Sequence, residues 1–334
     1  MEPNILLCGF GAFGQQHAAA WRIVAPKACL LVADVNPAAR ALALKTVCNE
    51  EDVAENYEDL VSRADIVDIV TSSESHYSLA LAALGKKLPT LIEKPAVKYI
   101  REAEELDALA KSSNTPVQVQ FVLRAHPLVV KAKELLSNGK IGRLVAMDGI
   151  FTGWKRMRPD ASILENDGVH MLDLMQFFVG SEQDKFEISG DRLLGGKIPE
   201  TIHLRLHYPD SVIAYLRLGI MFGGKQPDAY LAGSLTKKVL TLIGDQGSIE
   251  IDFNDSVIEV TKINYKETDG GFTPLVESIK TTRCPNITPV LLLTECFKRF
   301  LLTVENRADV ICDLKQGAIQ ITGLLEKARV QLAK

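Results

Sequence analysis

Over its first third the chain alternates short apolar runs with longer mixed stretches. Ile5 to Cys8, Cys29 to Ala33, Asp65 to Thr71, Thr90 to Ile92 and Pro116 to Phe121 have strand length; Gln15 to Val24, Pro37 to Val47, an Ala/Leu-rich segment ending near Gly85, and Ile100 to Ser113 have helical length. A run such as Ile5 to Cys8 taken alone fits a buried strand or a piece of helix equally well. The regular alternation decides it, because strands and helices taking turns at this spacing predict a doubly wound parallel sheet. Proline punctuates the pattern. Pro26 stops the first helix, and Pro95 stops the strand that runs into Glu93-Lys94, since a proline has no N–H to give a sheet ladder.

Near residue 122 the pattern changes. Leu123-Arg124-Ala125-His126-Pro127 reads as a crossover, and Pro127 opens a helix through Val130, Leu135 and Leu136 that ends at Asn138-Gly139. Leu144 to Phe151 reads as a strand. It leads into a charged segment, Thr152 to Pro159, that fits either a solvated loop or a substrate wall in which Trp154 is an aromatic platform and Lys155 a cationic donor. Val169, Leu172 and Phe177 share a helix face. Strict alternation over Thr201 to Tyr208, then Val212 to Leu218, Val239 to Ile243, Gly247 to Phe253 and Val257 to Thr261, predicts an open, mainly antiparallel sheet. Thr288 to about Asn306 and Asp313 to Ala333 read as closing helices. The expected division is residues 1–122, a Rossmann-type nucleotide-binding domain, and residues 123–334, an α+β substrate and dimerisation domain.

Composition narrows the function classes. With 334 residues and 47% hydrophobic content, the chain can fill two ordinary cores. A net charge of -4, a pI of about 5.9 and no basic run argue against nucleic acid and point to small-molecule partners. No apolar stretch approaches the ~18 residues of a membrane span, and Met1-Glu2-Pro3-Asn4 does not open a signal peptide, so a cytoplasmic protein is expected. Cys8, Cys29, Cys48, Cys284, Cys296 and Cys312 include no Cys-x-x-Cys pair and read as reduced thiols. His203 and His207 lie on one face of a strand rather than a helix, so no metal site is expected.

The candidate chemistry sits at the ends of the predicted strands. Gly9-Phe10-Gly11-Ala12-Phe13-Gly14 follows the first strand and opens the first helix, as a pyrophosphate cradle requires: the glycines let the backbone turn, approach the phosphates and pack helix against strand. Asp34 ends the second strand about 20 residues after Gly14, where a carboxylate accepts from the adenosine ribose and repels a 2′-phosphate. NAD is therefore favoured, with NADP left open through Arg40. At the next strand end the hydroxyls of Thr71 and Ser72 reach toward a cofactor, whereas Ser73 and Ser75 read as helix caps. Lys94 at a strand end is by itself an ordinary solvated charge, and His170 by itself a hydrogen-bonded helix residue.

The glycine turn, Asp34, the loop Thr71 to His76, Glu93-Lys94-Pro95 and Arg124-Ala125-His126-Pro127 together resemble the Gfo/Idh/MocA oxidoreductases over nearly the whole chain. That resemblance implies that Lys94 lies beside the nicotinamide and substrate, that Thr71, Ser72, His76 and Glu93 shape the cofactor site, and that His170 faces the nicotinamide. It also implies a homodimer through the C-terminal sheet. Many members carry an aspartate four residues before the histidine. Here that position is Asn166, and Asp167 follows one residue later, so Asn166 keeps a hydrogen bond but cannot take a proton. The expected activity is hydride transfer between the nicotinamide and a sugar, polyol or similar molecule, with Lys94 as general acid/base and His170 assisting. The alternatives are reduction of a non-sugar carbonyl or imine, and a non-catalytic NAD-binding regulator.

Overall fold

The computed structural model describes residues 3–46, 49–155, 162–195, 198–224, 226–227, 233–285 and 287–333. They form two compact units, the first from Met1–Ala125 with Thr288–Glu326, the second from His126–Ile287 with Lys327–Lys334.

In the first unit six strands follow the chain: β1 (Ile5–Cys8), β2 (Leu30–Ala33), β3 (Val53–Ala54), β4 (Ile66–Ile69), β5 (Thr90–Glu93) and β6 (Val117–Gln120). They pair in parallel in the order β3-β2-β1-β4-β5-β6. The order reverses between β1 and β4, and in such sheets ligands bind outside the carboxyl ends of the strands at that switch. Helices α1 (Ala12–Val24), α2 (Pro37–Ala43), α3 (Ser73–Gly85) and α4 (Ile100–Ser113) alternate with the strands. The strands are short and buried throughout, with Ile5, Leu6, Leu7, Leu31, Ile66, Ile69, Leu91 and Ile92 fully enclosed, as a sheet covered on both faces demands. The stretch expected to stay helical to Val47 ends at Ala43, and Val47 and Cys48 lie outside the described residues.

The second unit begins with α5 (Pro127–Ser137). Its sheet contains β7 (Leu144–Trp154), β8 (Lys185–Asp191), β9 (Thr201–His207), β10 (Ile213–Gly219), β11 (Gln226–Pro227), β12 (Leu235–Gly244), β13 (Gly247–Asp252), β14 (Val257–Thr268) and β15 (Gly271–Arg283), with α6 (Val169–Val179) between β7 and β8. The main path runs β15-β14-β13-β12-β7-β10-β9-β8, and every pairing is antiparallel except β10 with β7. One face is packed closely by α6: a Cβ at Gly149 would lie 2.6 Å from Met175 Cε.

Two helices close the chain, α7 (Pro289–Val304) and α8 (Ile321–Leu332). A division at residue 122 assigned all of this to the second domain, whereas Thr288–Glu326 returns to the first unit. The reason is apolar packing: Phe297 of α7 stacks on Trp21 of α1 with ring centroids 4.2 Å apart, and both side chains are buried.

Candidate functional site

The glycine turn leaves β1 with no room to spare. Gly9 has φ +98°, and a Cβ there would lie 2.8 Å from the Val70 carbonyl oxygen; a Cβ at Gly14 would lie 2.2 Å from the Gly9 oxygen. Both positions require glycine, one for conformation and close approach, the other for seating α1 against the turn. Gly11 differs. Nothing lies within 4 Å of a Cβ built there, and α1 starts at Ala12 with no side-chain cap and no acidic residue in its first turn. A helix N-terminus with N–H groups facing outward past a bare glycine fits the pyrophosphate of a dinucleotide. Ala12 is exposed here, while Phe13 turns its ring inward, edge-on to His17 at 5.1 Å.

Asp34 follows β2. Its Oδ2 accepts from the Phe10 N–H at 2.6 Å and its Oδ1 from the Asn36 N–H at 2.8 Å, which locks the carboxylate beside the glycine turn. Arg40, through which NADP stayed open, donates to the Asp34 and Val35 carbonyls at 2.8 and 3.0 Å and pairs with Glu55 at 3.0 Å. Its guanidinium thus fastens the loop that follows β2.

At the end of β4, Ser72 precedes α3 without a side-chain capping bond. Neither Ser73 nor Ser75 is the cap that the sequence suggested. Both lie inside the helix, and the Ser75 hydroxyl turns back to Thr71 Oγ1 at 2.8 Å and the Ser72 carbonyl at 3.0 Å. His76 is buried, its Nδ1 2.9 Å from the Pro95 carbonyl oxygen and its Nε2 3.1 Å from that of Thr71. It braces the loops that follow β4 and β5.

β5 ends at Glu93, and Lys94 follows, half-buried and joined to Pro95 by a cis peptide. Glu93 turns into the fold: Oε1 lies 3.2 Å from His17 Nε2, and Oε2 accepts the Lys94 backbone N–H at 3.0 Å. Gly9, Asp34, Thr71 and Lys94 therefore all follow the carboxyl ends of strands in one parallel sheet. Sequence reasoning passed over His17 and Asp68. The available signal was an acid in the middle of the apolar strand Ile66-Val67-Asp68-Ile69, a position buried on both sides that needs a partner.

The second unit groups the other predicted residues. Trp154 ends β7 and is 54% exposed. Lys155 is not a solvated loop charge: its side chain is only 2% exposed, ion-paired with Asp167, with Nζ 4.1 Å from the Phe151 ring centroid. Asn166 and Asp167 lie on a π turn, Leu164–Gly168, that leads into α6. Asp167 accepts from Lys155 through Oδ2 and from the Asn166 amide at 2.9 Å through Oδ1, so the acid next to the expected position is already bound on both oxygens. His170 is half-buried in the first turn of α6. Arg156 to Pro159 lie outside the described residues. Among the described residues no His, Cys, Asp and Glu group suits a metal ion.

Residues 3–121 match the model of the Gfo/Idh/MocA oxidoreductase family, NAD-binding Rossmann fold, and residues 129–250 match the Gfo/Idh/MocA C-terminal domain. D-apiose dehydrogenase of Rhizobium rhizogenes is 27% identical over 193 residues, 54% of each chain. The chain thus spans about half the length of that relative. Levoglucosan dehydrogenase of Pseudarthrobacter phenanthrenivorans is 25% identical over 279 residues, 75% of this chain and 67% of that one. In fold, an oxidoreductase from Agrobacterium radiobacter, solved with NAD+, L-tartaric acid and magnesium, superposes with a TM-score of 0.81 at 19% identity, covering 100% of this chain and 97% of the other.

Proposed function

This chain belongs to the Gfo/Idh/MocA oxidoreductase family, and from that premise we propose that it is a NAD-dependent dehydrogenase of a sugar, polyol or similar hydroxylated small molecule. The observation that carries the reading is one sheet edge. There the bare Gly11 cradle, the fixed Asp34 carboxylate and Lys94 follow β1, β2 and β5 in turn. The chemistry supplied by bound NAD is hydride exchange at its nicotinamide carbon. The protein must bind the dinucleotide and handle the hydroxyl proton. Gly9 to Gly14 and the start of α1 hold the phosphates, and Asp34 holds the adenosine ribose and disfavours a 2′-phosphate.

Lys94 takes the hydroxyl proton as base during oxidation and returns it during reduction, which needs its amine within about 2.6 to 3.2 Å of the substrate oxygen. His170 assists, and Trp154 and Asn166 contact substrate. Lys155 and Asp167 support that contact surface as a pair. The sugar-type substrate is supported by the two relatives named for D-apiose and levoglucosan. We assign nucleotide binding to the first unit, and substrate binding and dimerisation to the second. The sheet face opposite α6 exposes Tyr215 and Ile243, and a second copy of the chain would cover it. Free thiols at Cys8, Cys29, Cys284, Cys296 and Cys312 suit the reducing cytoplasm.

Measuring NADH formation by the full chain with NAD and a panel of sugars and polyols tests the reading. Turnover of at least one member is expected. Tight NAD binding with no turnover of any would instead assign the non-catalytic role.

A further inference from the structure

Beneath the strand end that carries Lys94 runs a chain of buried charge. His17 lies in α1 just past Gly14 and is fully enclosed, with Nδ1 2.9 Å from Asp68 Oδ2 and Nε2 3.2 Å from Glu93 Oε1. Trp21, one turn further along α1, donates its indole N–H to the same Asp68 oxygen at 2.7 Å. Glu93 then accepts the Lys94 backbone N–H at 3.0 Å. Phe13 and Phe297 pack edge-on against the imidazole at 5.1 and 5.3 Å.

Both ring nitrogens face carboxylate oxygens, and an ionised carboxylate can only accept. A neutral imidazole donates once, so one carboxylate would meet a ring lone pair in a place enclosed by protein. Two buried carboxylates without a cation would also repel each other until one took up a proton. An imidazolium satisfies both at once. Burial alone pushes His17 down, but Asp68 and Glu93 outweigh it and hold it up to about 9. The thiol of Cys8 on β1 also faces Asp68 and that of Cys296 on α7 faces Glu93, and burial pushes both up and keeps them protonated.

We propose that His17 is a positioning residue for Lys94: its imidazolium holds the Glu93 carboxylate turned inward, and Glu93 in turn pins the Lys94 backbone at the end of β5. The proposal rests on Lys94 as the proton handler. Its structural consequence is that one helix serves both halves of the chemistry. The N-terminus of α1 forms the phosphate cradle, and its next turn fixes the base.

The test replaces His17 with Gln, which keeps a donor but cannot carry charge. Hydrogen exchange at the Lys94 amide is expected to accelerate about tenfold or more while the β1 amides keep wild-type protection. With a turned-over substrate, kcat is expected to fall roughly 10- to 100-fold, with the NAD Kd changed less than about threefold. Unchanged Lys94 exchange, or unchanged kcat, overturns the proposal. Nitrogen NMR of histidine-labelled protein reads the charge itself: at about pH 8, where an ordinary histidine is neutral, a ring carrying protons on both nitrogens is expected in wild type and lost in His17→Gln, and its absence from wild type or its persistence in the variant overturns the proposal. If the wild type turns over no substrate, the dehydrogenase reading fails while exchange and NMR still judge the clamp.

Discussion

Raising the pH from about 6 to about 10 should cost the first unit on the order of 3 kcal/mol of stability through His17 alone. The group is fully enclosed, and its proton is held up to about 9 against an ordinary 6.5, because Asp68 and Glu93 outweigh the burial that would push it down. At about 1.4 kcal/mol per pH unit, that shift is worth roughly 3 kcal/mol. The sign follows from proton uptake. Between the two values the folded chain binds the proton and the unfolded chain does not, so the stabilisation is complete below about pH 6.5 and is lost as pH rises through about 9. Trp21 reports on this cluster directly. The chain has 2 tryptophans, so in a Trp154→Phe background urea unfolding followed by fluorescence reads Trp21 alone. His17→Gln in the same background removes this titration, and lysines and tyrosines elsewhere cancel in the difference between the two pH curves. Parallel curves for the two proteins would refute the assignment of charge to His17.

The glycines separate folding from binding. Gly14→Ala drives a Cβ to within 2.2 Å of the Gly9 oxygen and should lower stability by about 1–3 kcal/mol, read as a lower Tm. Gly11→Ala meets nothing within 4 Å, so its Tm should stay near wild type while calorimetric titration shows NAD affinity down about tenfold or more. Asp34→Ser should lower the NAD-to-NADP preference by at least about tenfold, measured as the ratio of Kd values, even though Arg40 remains bound to its own loop. Lys155→Met leaves Asp167 buried without its cation and should cost about 3–5 kcal/mol; denaturant unfolding should show much of that recovered on adding Asp167→Asn.

What was legible in the sequence was chemistry that the backbone itself imposes. Gly9 and Gly14 could be read because no side chain fits there, Asp34 because it closes a strand at a set distance from them, and the end of β5 because Pro95 cannot pair. Side chains whose environment is assembled from distant segments were not legible. Asp68 sits inside an apolar strand, and nothing local says that His17, 51 positions earlier, supplies its counter-ion. Lys155 belongs to a charged run that reads equally as a solvated loop or a substrate wall, and neither reading contains its burial against Asp167. It is buried because the π turn 12 residues on brings Asp167 to it. The parallel pairing of β7 with β10 depends on a crossover through α6, β8 and β9 that period-two alternation cannot register. The exposed strand β15 is interrupted by Pro274 and so carries little strand signal, and its place at the end of the sheet order accommodates that proline.

Lys94 remains the hinge of the account. Steady-state kinetics of Lys94→Ala against wild type, with NAD and whichever sugar or polyol the wild type oxidises, measure its role directly. A general acid/base predicts that kcat falls roughly 10²-fold or more while the NAD Kd stays close to wild type. Equal kcat in the two proteins would contradict it.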